Sequence, residues 1–480
     1  MATFNEKSGD FSKIVLATLL NIDVNKNFAV IALQTDFHLS TTKMFIKVFY
    51  LIKVLYIFRI AYCQEKGCNP KDPFDLLLDD VKSKIDGIST EWWEKTQDAI
   101  FDDQIKETFN LINSILERVK QFDLPETDYK IPRLVLLALL KKVQEFEQNE
   151  AIDHPYKMNR IEFEDCKTIG QYALNVYAAS WSWMRDPQDA ALKMGLDDKD
   201  EILFTWFQDQ DGDDHCPKFM IFTDHDSKSI ILAIRGTYSL ADVIVDIICD
   251  EEEFLDGHAH RGILKGAKRI LKESGDILKK AIQDFPDHRL VITGHSLGAG
   301  TAVLITMALM NGDYPDIFNP DSTPIKCVAL AAPPVYRSIL PCKADKHISI
   351  FINENDIVPR LSLANMATVI TKLRAIDNVP ISVQDHLKIL AGFEDSDVTE
   401  NLKILSNAIS GVHQTQFPSL DHHGDIYFFH KNNNEEKSFD IYRKPGQYFS
   451  GSLLLLENMI LDHLQPYYEE AFANVKSLQD

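Results

Sequence analysis

The feature that most constrains this chain is a short apolar segment, residues 290–293, followed directly by Gly-His-Ser-Leu-Gly at 294–298. A helical run of small and apolar residues, 299–310, comes next. A strand that turns this sharply into a helix needs glycine at Gly294 and Gly298, because a side chain there would collide with neighbouring backbone. The pattern predicts that Ser296 is a nucleophile in strained backbone, with its hydroxyl pushed out of the sheet. The alternative is a tight structural turn.

The helix that begins after Ser296 favours negative charge beside that residue. Its N-terminal dipole points at the place where an oxyanion would develop. The backbone N–H of Leu297 is placed to donate to that oxyanion. His295 is adjacent to Ser296 in sequence, and its side chain should point away from the hydroxyl, so we interpret it as structural.

Strand-like and helical segments alternate from about residue 160 onward. The strand-like segments are 219–223, 230–234, 290–293, 325–330 and 348–352, and the helical ones are 169–184, 263–282 and 299–310. This alternation predicts an α/β fold with a mostly parallel sheet covered by helices on both faces. Reactive groups then belong at the carboxyl ends of the strands.

The N-terminal part of the chain has a different pattern. An apolar run at 45–63 is long enough to cross a bilayer, but Lys47, Lys53 and Arg59 interrupt it. A span, an interfacial anchor and a core helix or cleaved leader all stay open. Residues 69–150 have helical spacing, and 134–140 are predicted to be a buried helix rather than a partner surface. We therefore divide the chain at 1–68, 69–150 and 151–480.

Charge and cysteine content exclude some functions. The chain has 72 acidic and 50 basic residues, a net charge of −22, and this disfavours nucleic-acid binding. Its 7 cysteines show no dense pairing pattern, which is typical of reduced thiols in a cytoplasmic protein. No standard secretory signal precedes the first apolar patch, so secretion is disfavoured.

A serine nucleophile needs a histidine to take its proton and a carboxylate to orient that histidine. Asp356 follows the strand-like segment 348–352 and is the favoured acid, with Glu354 as its local competitor and plain loop solvation as the alternative. Several histidines lie further along the chain as candidate bases: His413, His422, His423, His430 and His463.

Five stretches of the sequence resemble the class 3 lipases, and most closely their diacylglycerol lipase branch. They are 230–239, 290–300, 330–334, 355–361 and 462–467, within a region of similarity of about 160–475. The resemblance implies an α/β-hydrolase fold and cleavage of fatty-acyl esters. It matches Asp356 to the family's acid and His463 to its base, and it implies that Thr237 and Leu297 supply the oxyanion donors. Residues 1–150 match no family that we can name, and the multi-span N-terminus of the animal diacylglycerol lipases has no counterpart here.

The resemblance also places a lid after the oxyanion loop. Leu240, Val243, Ile244 and Ile247 give residues 239–253 an apolar face beside acidic positions, as in an amphipathic helix that covers a site in water and rolls onto lipid. An ordinary surface helix is the alternative. Residues 368–393 are rich in apolar side chains and are candidates to cover the acyl groove. Family resemblance leaves a regulatory role for this region open.

Three metal-like motifs fail on inspection. The acidic turn 209–214 lacks the glycine and the glutamate of a calcium loop. The pair His258 and His260, and the run 421–423, have no convincing partner ligands. We expect no metal and no cofactor, although the resemblance leaves calcium stimulation open.

The sequence as a whole predicts a serine ester hydrolase with Ser296, Asp356 and His463 as its triad and an acylglycerol, favoured as diacylglycerol, as its substrate. Phospholipase A1-type cleavage and a catalytically silent lipid-binding scaffold are the alternatives. The expected partner is lipid at a membrane or lipid-droplet surface, reached by a cytoplasmic protein that is peripherally associated or singly anchored.

Overall fold

The computed structural model describes most of the chain from residue 129 onward. The described residues are 110, 112, 129–131, 133–147, 154–183, 186–207, 216–237, 251–412, 419–432, 437–451, 453–456 and 458–480. They all belong to one compact unit, residues 101–480. The predicted segment 1–68, with its apolar run, lies outside the described residues.

The strands of the described residues are short, between two and seven residues each. They are β1 Met158–Asn159, β2 Ile202–Trp206, β3 Phe219–Asp224, β4 Ser229–Ile234, β5 Glu251–Phe254, β6 Gly257–His260, β7 Arg289–His295, β8 Ile325–Leu330, β9 Tyr336–Arg337, β10 Ile348–Asn353, β11 Asp425–Lys431, β12 Phe439–Arg443 and β13 Leu478–Gln479.

The α-helices of the same residues vary more in length. They are α1 Arg133–Glu147, α2 Arg160–Ser182, α3 Pro187–Met194, α4 Arg261–Asp284, α5 Leu297–Asn311, α6 Leu363–Asp377, α7 Val383–Leu390, α8 Ser396–Ser410, α9 Gly446–Ser450 and α10 Gln465–Ala473. Short 3₁₀ turns lie at Val358–Arg360 and Leu461–His463.

Eight strands form the central sheet, in the order β12-β11-β10-β8-β7-β4-β3-β2. The five inner strands, β4, β7, β8, β10 and β11, are parallel to one another, and the flanking strands pair antiparallel. Residues of β4 and β10 are buried throughout because helices cover both faces. With helix α5 leaving directly from β7, this is the predicted α/β-hydrolase fold.

Each face of the sheet has its own apolar core. Helices α4 and α5 cover one face, and α2, α3 and α10 contribute to the other. The predicted helix at 169–184 begins earlier, at Arg160, because the side chain of Asn159 accepts hydrogen bonds from the N–H groups of Ile161 and Glu162. The predicted helices at 263–282 and 299–310 lie within α4 and α5.

A group of four helices lies beside the sheet. Helices α6, α7 and α8, which join β10 to β11, each pack against α1, and α8 also packs against α6 and α7. The side chains of Leu136, Leu137, Leu139 and Leu140 in α1 are completely buried. Full burial of one such side chain stabilises a fold by about 1.5–3 kcal/mol, as an upper range. The predicted apolar segment 134–140 is therefore a buried helix.

Among the described residues, no helix combines the length and the apolar character that a bilayer crossing requires.

Candidate active site

Ser296 lies at the junction of β7 and α5. Its backbone has φ 61° and ψ −127°, a conformation that a residue other than glycine adopts only under strain. A Cβ atom at Gly298 would lie 2.3 Å from the Ile234 carbonyl oxygen, and one at Gly294 would lie 2.5 Å from the backbone of Gly298. The sharp turn that presents the serine hydroxyl therefore depends on both glycines.

Three side chains converge on this junction. The Oγ of Ser296 is 3.0 Å from Nε2 of His463. The Nδ1 of His463 lies 2.9 Å from Oδ1 of Asp356 and 3.1 Å from Oδ2. Because Nδ1 faces a carboxylate, it carries the ring proton, and Nε2 is left to accept from the serine hydroxyl. All three side chains are buried.

Asp356 has two further hydrogen-bond donors. The hydroxyl of Tyr468, in α10, donates to Oδ2 at 2.7 Å, and the N–H of Val358 donates to Oδ1 at 2.9 Å. The Tyr468 oxygen also accepts from the N–H of Asn353 at 3.1 Å. Burial, with Asp356 beside it, raises the pKa of Tyr468 well above the usual value, so the hydroxyl stays a donor. Motif analysis missed this tyrosine, which lies five residues beyond His463.

Two of the competing histidines lie in other environments. Nε2 of His422 is 2.8 Å from the carbonyl oxygen of Pro359, and burial lowers its pKa to about 4. His423 pairs with the carboxylate of Asp345 at 3.1 Å. The structure therefore brings neither of them to Ser296.

Glu354, the competitor for the role of the acid, and His430, a competitor for the role of the base, lie beside each other. The carboxylate of Glu354 accepts a hydrogen bond from the N–H of Lys431 and lies 3.4 Å from Nδ1 of His430. The neighbouring Glu354 carboxylate raises the pKa of His430. Glu354 thus faces β11 and not His463. His413 lies outside the described residues.

Each predicted oxyanion donor is next in sequence to a residue at this junction: Leu297 follows Ser296, and Thr237 follows Gly236, where an added Cβ would lie 3.2 Å from the Cβ of Ser296. Thr237 follows the end of β4, and its Oγ1 is buried without a hydrogen-bond partner among the described residues. Leu297 is the first residue of α5, so its N–H has no partner within the helix. Gly236 is needed because a Cβ there would lie 2.5 Å from the Tyr177 hydroxyl and 2.6 Å from the His295 carbonyl oxygen.

His295 holds two parts of the site together. Its Nε2 is 3.0 Å from the backbone carbonyl oxygen of His463, and its Nδ1 is 3.2 Å from the hydroxyl of Tyr177. The carbonyl requires the proton on Nε2, so Nδ1 accepts from the tyrosine. Burial, and then the neighbouring His463, lower the pKa of His295 to about 3, which keeps the ring neutral. These contacts agree with the prediction that His295 has a structural role. No sequence pattern pointed to Tyr177.

A further carboxyl group lies directly before His463. Oδ2 of Asp462 accepts from the N–H of Asn355 at 3.1 Å. Burial raises the pKa of Asp462 to about 7 from an ordinary value of 3.8, although the hydrogen bond from Asn355 opposes the shift.

The described residues include only part of the predicted lid and only some of the metal-like motifs. Residues 239–250 lie outside them, as does the acidic turn 209–214, and Glu251–Glu253 form a strand instead of continuing a helix. Nδ1 of His260 accepts from the Ile263 N–H at 3.2 Å and so caps α4. In the part of the chain that the structure describes, no group of three or more His, Cys, Asp or Glu side chains is arranged to hold a metal.

Comparison with known proteins places this site in a family context. Residues 231–366 match the sequence profile of the Lipase (class 3) family, a stretch that includes Thr237, Ser296 and Asp356 but ends before His463. The mouse (Mus musculus) diacylglycerol lipase-beta is 33% identical over 171 residues, 33% of this chain and 24% of that protein. The human (Homo sapiens) diacylglycerol lipase-alpha is 30% identical over 162 residues, 31% of this chain and 15% of that protein.

Fungal proteins are also similar. The secreted mono- and diacylglycerol lipase A of Penicillium cyclopium is 29% identical over 181 residues, 36% of this chain and 56% of that protein. The solved structure of Rhizomucor miehei triacylglyceride lipase has a TM-score of 0.43 and 16% identity, over 65% of this chain and 96% of that one. For the two animal lipases, the matched segment covers only about a quarter or less of the length of the relative.

Proposed function

Because residues 231–366 match the sequence profile of the class 3 lipase family, we propose that this chain is a serine ester hydrolase that cleaves fatty-acyl esters of acylglycerols. The single observation that carries the proposal is the continuous hydrogen-bonded series from Ser296 through His463 to Asp356, with distances of 3.0 and 2.9 Å. A nucleophile, a base and a group that orients the base in this order are what acyl transfer requires.

In the proposed mechanism, Ser296 attacks the ester carbonyl carbon while Nε2 of His463 takes the hydroxyl proton. Negative charge develops on the carbonyl oxygen, where the N–H groups of Thr237 and Leu297 and the Thr237 hydroxyl would donate. The intermediate collapses, the ester C–O bond breaks, and His463 returns the proton to the departing glycerol oxygen. Water then hydrolyses the acyl-serine by the same route in reverse.

Asp356 keeps the proton of His463 on Nδ1 and stabilises the imidazolium that forms during each step. Tyr468 and Val358 hold Asp356 from its other sides. Neither a metal nor a cofactor takes part in these steps. The first proton transfer, from Ser296 to His463, runs between side chains that are already in hydrogen-bond contact, so little reorganisation is needed when Ser296 attacks.

We propose diacylglycerol as the favoured substrate. The names of the animal and Penicillium relatives support this choice, since they refer to hydrolysis of mono- and diacylglycerols. A lipid of this kind is held in a membrane or a lipid droplet, and the protein would work at that surface.

The test is release of fatty acid from a panel of mono-, di- and triacylglycerols and phospholipids. Wild-type protein should release most from diacylglycerol, and Ser296→Ala should release none above background. A preference for phospholipid would instead favour phospholipase A1-type cleavage. Failure of a fluorophosphonate probe to label Ser296 in the folded wild-type chain would favour a silent lipid-binding scaffold.

A matched pair of histidine variants tests the choice of base. His463→Asn should abolish hydrolysis, whereas His423→Gln should retain it, because His423 lies against Asp345 and outside the triad. Equal activity in the two variants would refute the assignment of His463.

A further inference from the structure

Gln144 joins helix α1 to the loop that leads into His463. Its side-chain Nε2 donates to the carbonyl oxygen of Leu453 at 3.1 Å, and its Oε1 accepts from the N–H of Leu455 at 2.8 Å. Gln144 is 3% exposed. A buried amide that satisfies one backbone donor and one backbone acceptor is costly to remove, because both groups would be left unpaired away from water.

The loop held by Gln144 continues to the triad through a second set of contacts. Met459 is completely buried, and its carbonyl oxygen accepts from the N–H of Ile357, the residue after Asp356, at 3.3 Å. The N–H of Asp462 donates to the carbonyl oxygen of Asn458 at 2.8 Å. The 3₁₀ turn Leu461–His463 follows at once. The position of the His463 backbone therefore depends on the segment that Gln144 fixes at its start.

The residues just before α1 are hydrogen-bonded to the end of helix α6. The buried carboxylate of Asp377 accepts from the N–H of Lys130 at 3.0 Å and from the N–H of Ile131 at 2.9 Å. Asp377 ends helix α6, which begins soon after the turn Val358–Arg360. The chain that leads into α1 is thus attached to α6, the helix that follows the segment of Asp356.

We propose that Gln144 is a positioning residue for His463, acting from α1, a helix that precedes the region of family similarity. The inference rests on the proposed function, because it concerns the same triad. Gln144 touches no reacting atom. It acts by holding the loop 453–456, and through that loop the imidazole, at the distance at which Nε2 meets the Ser296 hydroxyl.

Small displacements of a catalytic base lower the reaction rate strongly. A shift of about 1 Å caused by a change remote from the chemistry can cost about 10²-fold. Loss of the two Gln144 hydrogen bonds should therefore reduce kcat much more than it affects KM, since both bonds go to the loop that precedes His463.

The experiment compares three variants of the full chain with a soluble short-chain ester as substrate. Gln144→Met keeps the length of the side chain and removes both hydrogen bonds. Gln144→Glu is the rescue, because a buried carboxyl group tends to stay protonated and then offers one donor and one acceptor. Val143→Ala is the matched control, since it removes buried apolar contacts of the same helix and leaves the amide intact.

We expect Gln144→Met to lower kcat by about tenfold or more with KM changed by less than about twofold, assayed well below its unfolding midpoint. Val143→Ala should lower the unfolding midpoint and keep kcat, and Gln144→Glu should recover most of the lost kcat. The inference is overturned if Gln144→Met loses no more kcat than Val143→Ala, or if the glutamate variant recovers nothing.

Wild type and Ser296→Ala are included so that a failure of the proposed function can be distinguished from a failure of the role of Gln144. Labelling by a fluorophosphonate probe in wild type and not in Ser296→Ala supports the proposed function, whatever the Gln144 variants do. A folded wild-type chain that is neither labelled nor active would overturn the proposed function and the role of Gln144 with it.

Discussion

The hydroxyl of Tyr468 lies 2.7 Å from Oδ2 of Asp356 and gives the buried carboxylate a partner on the side that His463 does not occupy. The acid of the proposed triad is therefore held by α10, the helix that begins two residues after the proposed base. Movement of α10 would displace Asp356 and His463 together.

Tyr468→Phe tests this coupling. The variant loses a hydrogen bond to a charged group, which typically contributes about 1.5–3 kcal/mol, and leaves the N–H of Asn353 without its acceptor. We expect kcat to fall about tenfold and the free energy of unfolding to fall by roughly 1–3 kcal/mol. Ester hydrolysis and urea unfolding measure the two effects. Tyr427→Phe, at a buried tyrosine in β11 that stacks on Phe351, is the control and should keep kcat.

Asp356→Asn should leave the site folded and nearly inactive. An amide in this position no longer fixes the proton on Nδ1 of His463, and comparable changes in serine hydrolases cost about 10⁴ in kcat. Glu354→Gln is the comparison, because Glu354 faces His430 and Lys431. Steady-state kinetics on both variants measure the difference. A larger loss in Glu354→Gln than in Asp356→Asn would show that the acid has been misassigned.

Thr237→Val should weaken stabilisation of the oxyanion while preserving the shape of the side chain. Loss of one such donor typically lowers kcat by about 10²–10³. The effect should appear in kcat and not in unfolding, since the Thr237 hydroxyl has no partner to lose among the described residues. Thr306→Val removes a buried hydroxyl that donates to the Ala302 carbonyl within α5 and should leave kcat unchanged. An unaltered kcat in Thr237→Val would exclude the hydroxyl as a donor.

The raised pKa of Asp462 predicts how stability depends on pH. Between about pH 4 and pH 7 the unfolded chain releases this proton while the folded chain keeps it, so the free energy of unfolding falls as pH rises through that window. Above about pH 7 the penalty is complete, with an upper bound of roughly 4 kcal/mol for a shift of about three pKa units. Asp462→Asn removes the penalty and can still accept from Asn355. Urea midpoints at pH 5 and pH 8 should therefore differ less in the variant than in wild type; equal differences would contradict the prediction.

Gly298→Ala should prevent formation of the turn at Ser296, because the added Cβ would lie 2.3 Å from the Ile234 carbonyl oxygen. We expect a loss of stability of several kcal/mol or failure to fold. Gly411→Ala is the control, since its backbone φ is −81° and nothing lies within 4 Å of the added atom. Thermal unfolding of the two variants distinguishes them directly.

Local sequence patterns predicted the parts of this molecule that depend on local geometry. The turn at Ser296 needs glycine on both sides, and the apolar strands β4 and β7 need burial on both faces, so both leave clear signals in the sequence. The assignment of His463 over four other histidines came from family resemblance, because nothing in the local sequence says which imidazole returns to a distant strand end.

Contacts between distant segments left no such signal. Gln144 lies 309 residues from Leu453, and Tyr468 lies 112 residues from Asp356. A glutamine in an apolar helix and a tyrosine in a C-terminal helix are each compatible with many folds. The beginning of helix α2 was predicted nine residues too late, at 169 instead of Arg160, because it is set by one side chain, Asn159, and not by apolar spacing.

The pairing of β1 with β13 has a practical consequence for handling this protein. Asp165, in the first turns of α2, forms ion pairs with Arg289 and Lys326 at the starts of β7 and β8, so β1, which directly precedes α2, lies toward the amino ends of the strands. Since β13 pairs with β1, Asp480 emerges there as well, whereas Ser296 lies at the carboxyl ends. Within the unit that the structure describes, a fluorescent label or purification tag fused after Asp480 would therefore begin near the amino ends of the strands, opposite the end that carries Ser296.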